Sequence, residues 1–222
     1  MYYNNIIKAN KRKYVSPKTN VIQKRKIKVK KVILFILMIS PLFSSTNYNL
    51  IRHSKTYIKT INNIEHLDYR QRESLLYLYE KCYEYDLANT CVAIGYKESR
   101  LGKYMFNDVT GDYGLLGINL KTFMNTNNIK RSYWKEREVA TRLITDNDFN
   151  VNASIANLMF WKKQYKNNWL KIWASYNGGY NPNYTYAKDI LLYIKAFKEL
   201  IRNDEELRYE VLKIEKTYTP KR

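Results

Sequence analysis

The feature that most constrains the fold is a helical periodicity that begins near Asp68 and continues to about residue 203. Segments near 70–84, 87–99, 135–145, 150–166, 168–177 and 186–203 carry apolar residues three and four positions apart. The 222 residues include only 7 glycines and 4 prolines, which argues against a loop-rich β architecture. The pattern therefore predicts one mainly α domain over residues 68–203, followed by a charged C-terminal tail, 204–222, that is either an exposed helix or disordered.

One long segment, 102–128, interrupts this helical pattern. It contains Gly102, Gly111, Gly114 and Gly117 and has asparagine-rich ends. A long irregular loop inside a helical domain is more often functional than idle. We therefore expect ligand contacts in this segment, although the glycines also suit simple tight turns.

The first 67 residues divide into three parts. Residues 1–31 hold 11 of the 39 lysines and arginines and none of the 20 acidic residues. The apolar run 32–43 follows, and its length suits a signal-peptide core, whereas a membrane-spanning helix needs about 20 residues. We predict a basic segment over 1–31, a signal peptide or membrane anchor over 32–45, and a linker over 46–67. A short buried helix is the alternative for the apolar run.

The formal net charge of +19 indicates an affinity for polyanions. Nucleic acid, peptidoglycan with its peptide carboxylates, and phosphate polymers all satisfy this charge. The sequence has no zinc-finger spacing, no aromatic-interleaved basic repeat and no RNP-like segment, so no nucleic-acid partner is predicted.

The two cysteines, Cys82 and Cys91, lie nine residues apart with no CxxC motif and no cluster of histidines nearby. This spacing does not predict a metal site, and we predict no metal and no cofactor. In an exported protein the two thiols could pair across a turn, whereas in a reducing compartment they would be small core residues.

Glu98 is the first candidate for a catalytic group. Leu87, Cys91, Ile94 and Glu98 share one face of the predicted helix, so a carboxylate ends an apolar stripe. Burial and the negative end of the helix dipole would both raise its pKa, which suits a general acid near neutral pH. The alternative is a terminal glutamate turned towards solvent together with Ser99.

Five ordered segments resemble soluble lytic transglycosylase (SLT-type) domains of the lysozyme superfamily. The first two are residues 90–99, which read TCVAIGYKES like the family helix that ends in Glu-Ser, and 112–119, which read DYGLLGIN like the G-L-M-Q-I segment. The other three are 150–158 (NVNASIANL), 174–179 (ASYNGG) and 186–190 (YAKDI), which are similar to the family's N-I-x-A-G helix, A-x-Y-N-A-G motif and closing tyrosine motif. The matches span about residues 70–200.

The resemblance implies a lysozyme-like helical domain with a glycan-binding cleft. It implies that Glu98 protonates the oxygen between MurNAc and GlcNAc and then takes the proton of the MurNAc C6 hydroxyl, which closes a 1,6-anhydro ring. It also implies that the Tyr176 hydroxyl fixes the rotamer of Glu98. Further substrate contacts are implied for a set of residues along the motifs: Ser99, Asp112, Gly114, Leu115, Asn119, Asn177 and Tyr186.

Two positions bear on how closely the chemistry follows the family. Gly117 stands where the family has glutamine, which removes a side-chain amide from the cleft and suggests reduced activity or a purely glycan-binding role. Asp112 stands where c-type lysozymes carry their second carboxylate, so a hydrolytic muramidase using Glu98 and Asp112 is the second reading. A solvated carboxylate in a Gly111-Asp112 turn is the third.

The predicted partner is the peptidoglycan glycan strand, cleaved by a monomer without nucleic acid. The chain is expected to be exported to the periplasm or cell envelope, with residues 32–43 as a membrane tether. A phage-encoded, virion-associated enzyme is the alternative location.

Overall fold

The computed structural model describes residues 55–218, and this part of the chain is mainly helical, as the periodicity predicts. A small antiparallel sheet with the strand order β1-β2-β3 lies between the third and fourth helices. The elements in chain order are α1 (Lys55–Ile64), α2 (Tyr69–Tyr83), α3 (Ala88–Ser99), β1 (Phe106–Asn107), β2 (Asp112–Tyr113), β3 (Ile118–Asn119), α4 (Leu120–Thr126), α5 (Tyr133–Thr145), α6 (Asn147–Tyr165), α7 (Trp169–Gly178), α8 (Tyr184–Asn203) and α9 (Glu205–Tyr218). The contacts described below lie within residues 59–218.

Helix α3 is the centre of the core. Every residue from Thr90 to Tyr96 is buried, and a helix that is buried on all sides must be surrounded by other elements. α3 packs against α2 and α8, and α8 also packs against α7. A Cβ at Gly95 would lie 2.5 Å from Leu78 Cδ1, so glycine permits the close approach of α2 and α3.

Polar side chains fix the beginnings of the helices around this core. Asp68 and Gln71 form a reciprocal capping box at α2, which satisfies two backbone N–H groups that the helix leaves free. Single side chains cap five further helices, namely Asn119 for α4, Ser132 for α5, Asp146 for α6, Asn168 for α7 and Asn183 for α8. The six predicted helical segments correspond to α2, α3, α5, α6, α7 and α8.

Three parts of the fold differ from the sequence expectations. Residues 55–64, within the predicted linker, form helix α1, and Ile64 is fully buried. The tail from residue 205 is a helix that packs on α2, because Leu207 and Val211 supply an apolar face that is buried rather than exposed. The irregular segment 102–128 contains the sheet and helix α4. These elements are too short for a periodic pattern to be detected in the sequence.

The predicted signal or anchor segment, 32–45, lies outside the described residues. Within residues 55–218, no helix has the length and apolar character that crossing a membrane requires.

Cys82 in α2 and Cys91 in α3 form a disulfide with a Cα–Cα distance of 6.5 Å. The chain turns between these helices at Asp86, which has a φ of +59°. The pairing predicted for an oxidising location is therefore present, and it joins the helix that carries Glu98 to its neighbour α2.

Candidate active site

Glu98 lies in the last turn of α3, half-buried, where the helix ends at Arg100 in the left-handed region. Its Oε1 accepts a hydrogen bond of 2.6 Å from the Tyr186 hydroxyl. Burial raises the pKa of Glu98 to about 7, the Asp112 charge adds to the rise, and the Tyr186 bond and the Lys97 charge oppose it. Glu98 is therefore a half-buried carboxyl that is protonated in a large fraction of molecules near neutral pH, and it is bonded to Tyr186 rather than turned towards solvent.

Tyr186 is held in the first turn of α8, where only 4% of it is exposed. Its backbone N–H donates to Asn183 Oδ1, the cap of the same helix, at 3.1 Å. Burial, followed by the charge of Glu98, raises the pKa of the Tyr186 hydroxyl well above its usual value, so the group stays a hydrogen-bond donor. The beginning of α8 thus aims a fixed donor at the end of α3.

An ion pair joins the same two helices beside this contact. Lys97 Nζ lies 2.6 Å from Asp189 Oδ2, one helical turn after Tyr186. The Lys97 charge lowers the pKa of Glu98, but by less than burial raises it. The pair also ties the orientation of α3 to that of α8.

The small sheet brings Asp112 towards the same site. Asp112 is a half-buried residue of β2, paired with Asn119 of β3, and its Oδ1 accepts a 3.0 Å hydrogen bond from Asn119 Nδ2. Gly111 lies in the turn before β2, as one of the interpretations of this segment expected, while the Asp112 carboxylate is bonded within the sheet. Asp112 raises the pKa of both Glu98 and Tyr186, which places its charge within electrostatic reach of the catalytic candidate.

The hydrogen bond to Glu98 comes from Tyr186, a residue expected only to contact substrate. The Tyr176 hydroxyl donates to the Leu116 carbonyl oxygen at 2.7 Å and lies 3.2 Å from Ser154 Oγ. Tyr176 therefore supports the hairpin from α7, whereas Tyr186 donates to Glu98. Asn177, beside it, is exposed, and its Oδ1 accepts from Asn183 Nδ2 at 2.9 Å.

Three residues expected to touch substrate are buried and serve the framework. Ser99 Oγ lies 2.8 Å from the Leu115 carbonyl oxygen and accepts from the Gly102 N–H at 2.9 Å, so it ties the loop to the end of α3. Leu115 itself is 1% exposed. A Cβ at Gly114 would lie 2.1 Å from both Asn150 Nδ2 and the Leu143 carbonyl oxygen, so this glycine faces the interior and not a sugar.

Sequence reasoning missed Asn150, although it opens one of the motifs. Asn150 is fully buried in α6, its Oδ1 accepts from the Leu116 N–H at 2.8 Å, and its Nδ2 donates to the Tyr113 carbonyl oxygen at 2.9 Å. The side chain thus satisfies two backbone polar groups of the hairpin. An asparagine on the apolar face of a predicted helix is the signal that could have revealed it.

Gly117 completes the arrangement, because it lies directly against Glu98. A Cβ at this position would be 2.8 Å from Glu98 Cβ, Cγ and Oε2. Residues 55–218 contain no group of three or more histidine, cysteine, aspartate or glutamate side chains that could hold a metal ion. The described groups are those of an acid that works through a single carboxyl, with a tyrosine donor and a second carboxylate nearby.

Comparison with known proteins gives one family. Residues 78–189 match the family model of the transglycosylase SLT domain, and this range includes Glu98, Asp112, Asn150 and Tyr186. No curated protein and no solved structure matches the chain.

Proposed function

Because the chain belongs to the transglycosylase SLT family, part of the lysozyme-like superfamily, we propose that it is a peptidoglycan lytic transglycosylase with Glu98 as its single acid and base. The observation that carries this proposal is the carboxyl of Glu98, which is buried at the end of α3 and bonded to Tyr186. A group with a pKa of about 7 is protonated in a large fraction of molecules at neutral pH and can still accept a proton later in the reaction.

The two oxygens of Glu98 have different surroundings, which assigns the acidic proton. Oε1 accepts a hydrogen bond from the Tyr186 hydroxyl, and we therefore assign the carboxyl proton to Oε2. In the first step Oε2–H transfers its proton to the glycosidic oxygen between MurNAc and GlcNAc while the C1–O bond breaks. The Tyr186 bond then stabilises the carboxylate that this transfer leaves behind.

In the second step the carboxylate acts as a base. It takes the proton of the MurNAc C6 hydroxyl as that oxygen bonds to C1, which forms the 1,6-anhydro ring and restores the protonated acid. The proton given to the leaving GlcNAc is balanced by the proton taken from C6, so neither water nor a protein nucleophile enters. One carboxyl is sufficient for this route.

A hydrolytic muramidase is the second candidate, and the position of Asp112 favours it. Burial is the main cause of the raised pKa of Glu98, and the negative charge of Asp112 raises it further. In that reaction Asp112 would bind the sugar carbon or activate water. Its hydrogen bond from Asn119 holds the carboxylate in the strand, which suits electrostatic support of a positively charged transition state in either reaction.

The remaining parts of the proposal concern location and partners. The substrate is peptidoglycan, which lies outside the cytoplasmic membrane, and the Cys82–Cys91 disulfide suits that oxidising compartment. We propose that the chain acts in the periplasm or envelope, tethered or exported through residues 32–43, as a monomer that does not bind nucleic acid.

Digestion of purified sacculi tests the reaction. The wild-type protein should release muropeptides lighter than the hydrolytic products by one water each, which is the signature of the anhydro ring. Glu98→Gln should release no product, while the matched exposed variant Glu206→Gln, whose side chain is 85% exposed, should match the wild type. Products with reducing ends would favour the muramidase, and binding to sacculi without any product would favour a glycan-binding protein.

A further inference from the structure

Gly117 ends a tight turn in the hairpin, just before β3. Its N–H donates to the Gly114 carbonyl oxygen at 3.2 Å, and its φ is +61°, in the left-handed region that favours glycine. The turn brings the backbone of residue 117 onto the last turn of α3. This position is where the family motif has a glutamine, so the chain departs from its family at a point of contact with Glu98.

Glu98 fills the space that a side chain at position 117 would occupy. A Cβ on residue 117 would lie 2.8 Å from Glu98 Cβ as well as from Cγ and Oε2. Rotation of the carboxyl group could move Oε2, but Glu98 Cβ is fixed by the backbone of α3. Any side chain at 117 must therefore separate the hairpin from the helix or turn Glu98 away from its present position.

The charged and titratable groups that face Glu98 come from three sides. Tyr186 of α8 bonds Oε1, Asp112 of β2 acts through its charge, and Lys97 of α3 is paired with Asp189. The hairpin contributes Gly117, and a Cβ built on its backbone would lie 2.8 Å from Oε2, the oxygen to which we assign the acidic proton. The backbone of residue 117 thus forms one wall of the carboxyl site.

We infer that Gly117 is a positioning residue, whose missing side chain lets Glu98 lie between the hairpin and Tyr186 with Oε2 directed at the substrate. The inference rests on the proposed function, because it concerns the same carboxyl. At position 117, where the family motif has glutamine, the absence of a side chain leaves room for the Glu98 carboxyl.

A simpler role for Gly117 is that of a turn residue that only needs a positive φ. Gly179 separates the two roles, because it has nearly the same φ of +62° and a Cβ there would meet nothing within 4 Å. Gly179→Ala therefore imposes the backbone strain alone. Gly117→Ala also places a side chain at positive φ and adds the contact on Glu98.

The experiment makes two measurements. NMR of protein labelled with ¹³C-glutamate follows the titration of the Glu98 carboxyl carbon, whose signal is assigned by its loss in Glu98→Gln. Digestion of sacculi gives kcat/KM. Gly117→Ala and Gly117→Asn, the latter tolerant of positive φ, should lower the pKa of Glu98 by about one pH unit or more, because the carboxyl is moved out of its buried position. Both should reduce kcat/KM about tenfold or more at pH 5, where Glu98 is protonated in either case. Gly179→Ala should leave the titration and kcat/KM within about twofold of wild type.

The inference is overturned if a folded Gly117→Ala keeps the wild-type titration, or if both substitutions at 117 prevent folding while Gly179→Ala folds, since Gly117 would then serve folding alone. The titration does not require turnover. A wild-type protein that releases no product would therefore contradict the proposed function. A lowered Glu98 pKa in the 117 variants alone would still support the positioning role.

Discussion

Glu98→Gln keeps the size of the side chain and an oxygen that can accept the Tyr186 hydrogen bond, but it cannot ionise. The wild-type carboxyl has a pKa of about 7 in the folded protein, against an ordinary value of 4.5 that applies to the unfolded chain. The folded state therefore binds this proton more tightly than the unfolded state does. The stabilising effect of the protonated carboxyl is fully present below about pH 4.5 and is lost as the pH rises to about 7.

The size of the loss follows from the difference between the two pKa values. A difference of about 2.5 pH units corresponds to about 3.5 kcal/mol at about 1.4 kcal/mol per unit, and to about 3 kcal/mol once the partial exposure of Glu98 is allowed for. Above pH 8 the wild-type protein must keep a charged carboxylate in its interior, and this costs about 3 kcal/mol relative to pH 4. Glu98→Gln has no such group, so relative to the wild type it should gain about 3 kcal/mol of stability between pH 4 and pH 8.5.

Urea unfolding of wild type, Glu98→Gln and the exposed control Glu206→Gln at pH 4, 6 and 8.5 measures this gain. The free energies of wild type and Glu98→Gln should diverge as the pH rises, and most of the divergence should fall between pH 4.5 and 7. Glu206→Gln should follow the wild type at all three values. A difference between Glu98→Gln and wild type that stays constant across the range would refute the burial argument, whatever the activity of the variant.

Three further perturbations test the rest of the site and its support. Tyr186→Phe removes the hydrogen bond that lowers the pKa of Glu98, so the fall of kcat/KM above neutral pH should move to higher pH and the maximal rate should drop about tenfold. An alkaline limb that stays in place would contradict this role. Asp112→Asn should cost about tenfold in rate and leave anhydro-muropeptides as the product; a loss as deep as that of Glu98→Gln, with reducing-end products, would favour hydrolysis. Replacing Cys82 and Cys91 together by alanine should lower the free energy of unfolding by about 3 kcal/mol, because the bridge restricts the conformations of the unfolded chain. Urea unfolding of oxidised wild type beside the double variant checks this value.

The sequence predicts the helices and the placement of the Glu98 carboxyl on an apolar face, because both depend on local spacing. Glu98 ends an apolar stripe at periodicity three and four, and burial of that stripe is what raises its pKa. Helix boundaries agree because the caps, such as Asp68 and Asn183, are local side-chain bonds. The disulfide also follows from position, since Cys82 and Cys91 lie on either side of one turn.

The tyrosine that bonds to Glu98 could not be predicted in the same way. Tyr176 and Tyr186 both lie near helix ends and in recognisable motifs, and which of them meets Glu98 depends on how α7 and α8 pack against α3. Residue spacing within one helix carries no information about that packing. The three strands have only two residues each, which is too short for an alternating pattern to be distinguished from a loop.

The anchoring of the hairpin by Asn150 has a consequence for the order in which the molecule assembles. Two-residue strands cannot hold a hairpin together by themselves, and the backbone groups of Leu116 and Tyr113 find their partner 34 and 37 residues further along the chain. That partner is in place only after α6 has docked, and closing so long a loop is slow compared with forming a helix. We therefore expect the helical core to form first and the wall of the catalytic cleft to settle last. A chain released before α6 is synthesised would lack Asn150, so the backbone groups of Leu116 and Tyr113 would have no side-chain partner from this helix.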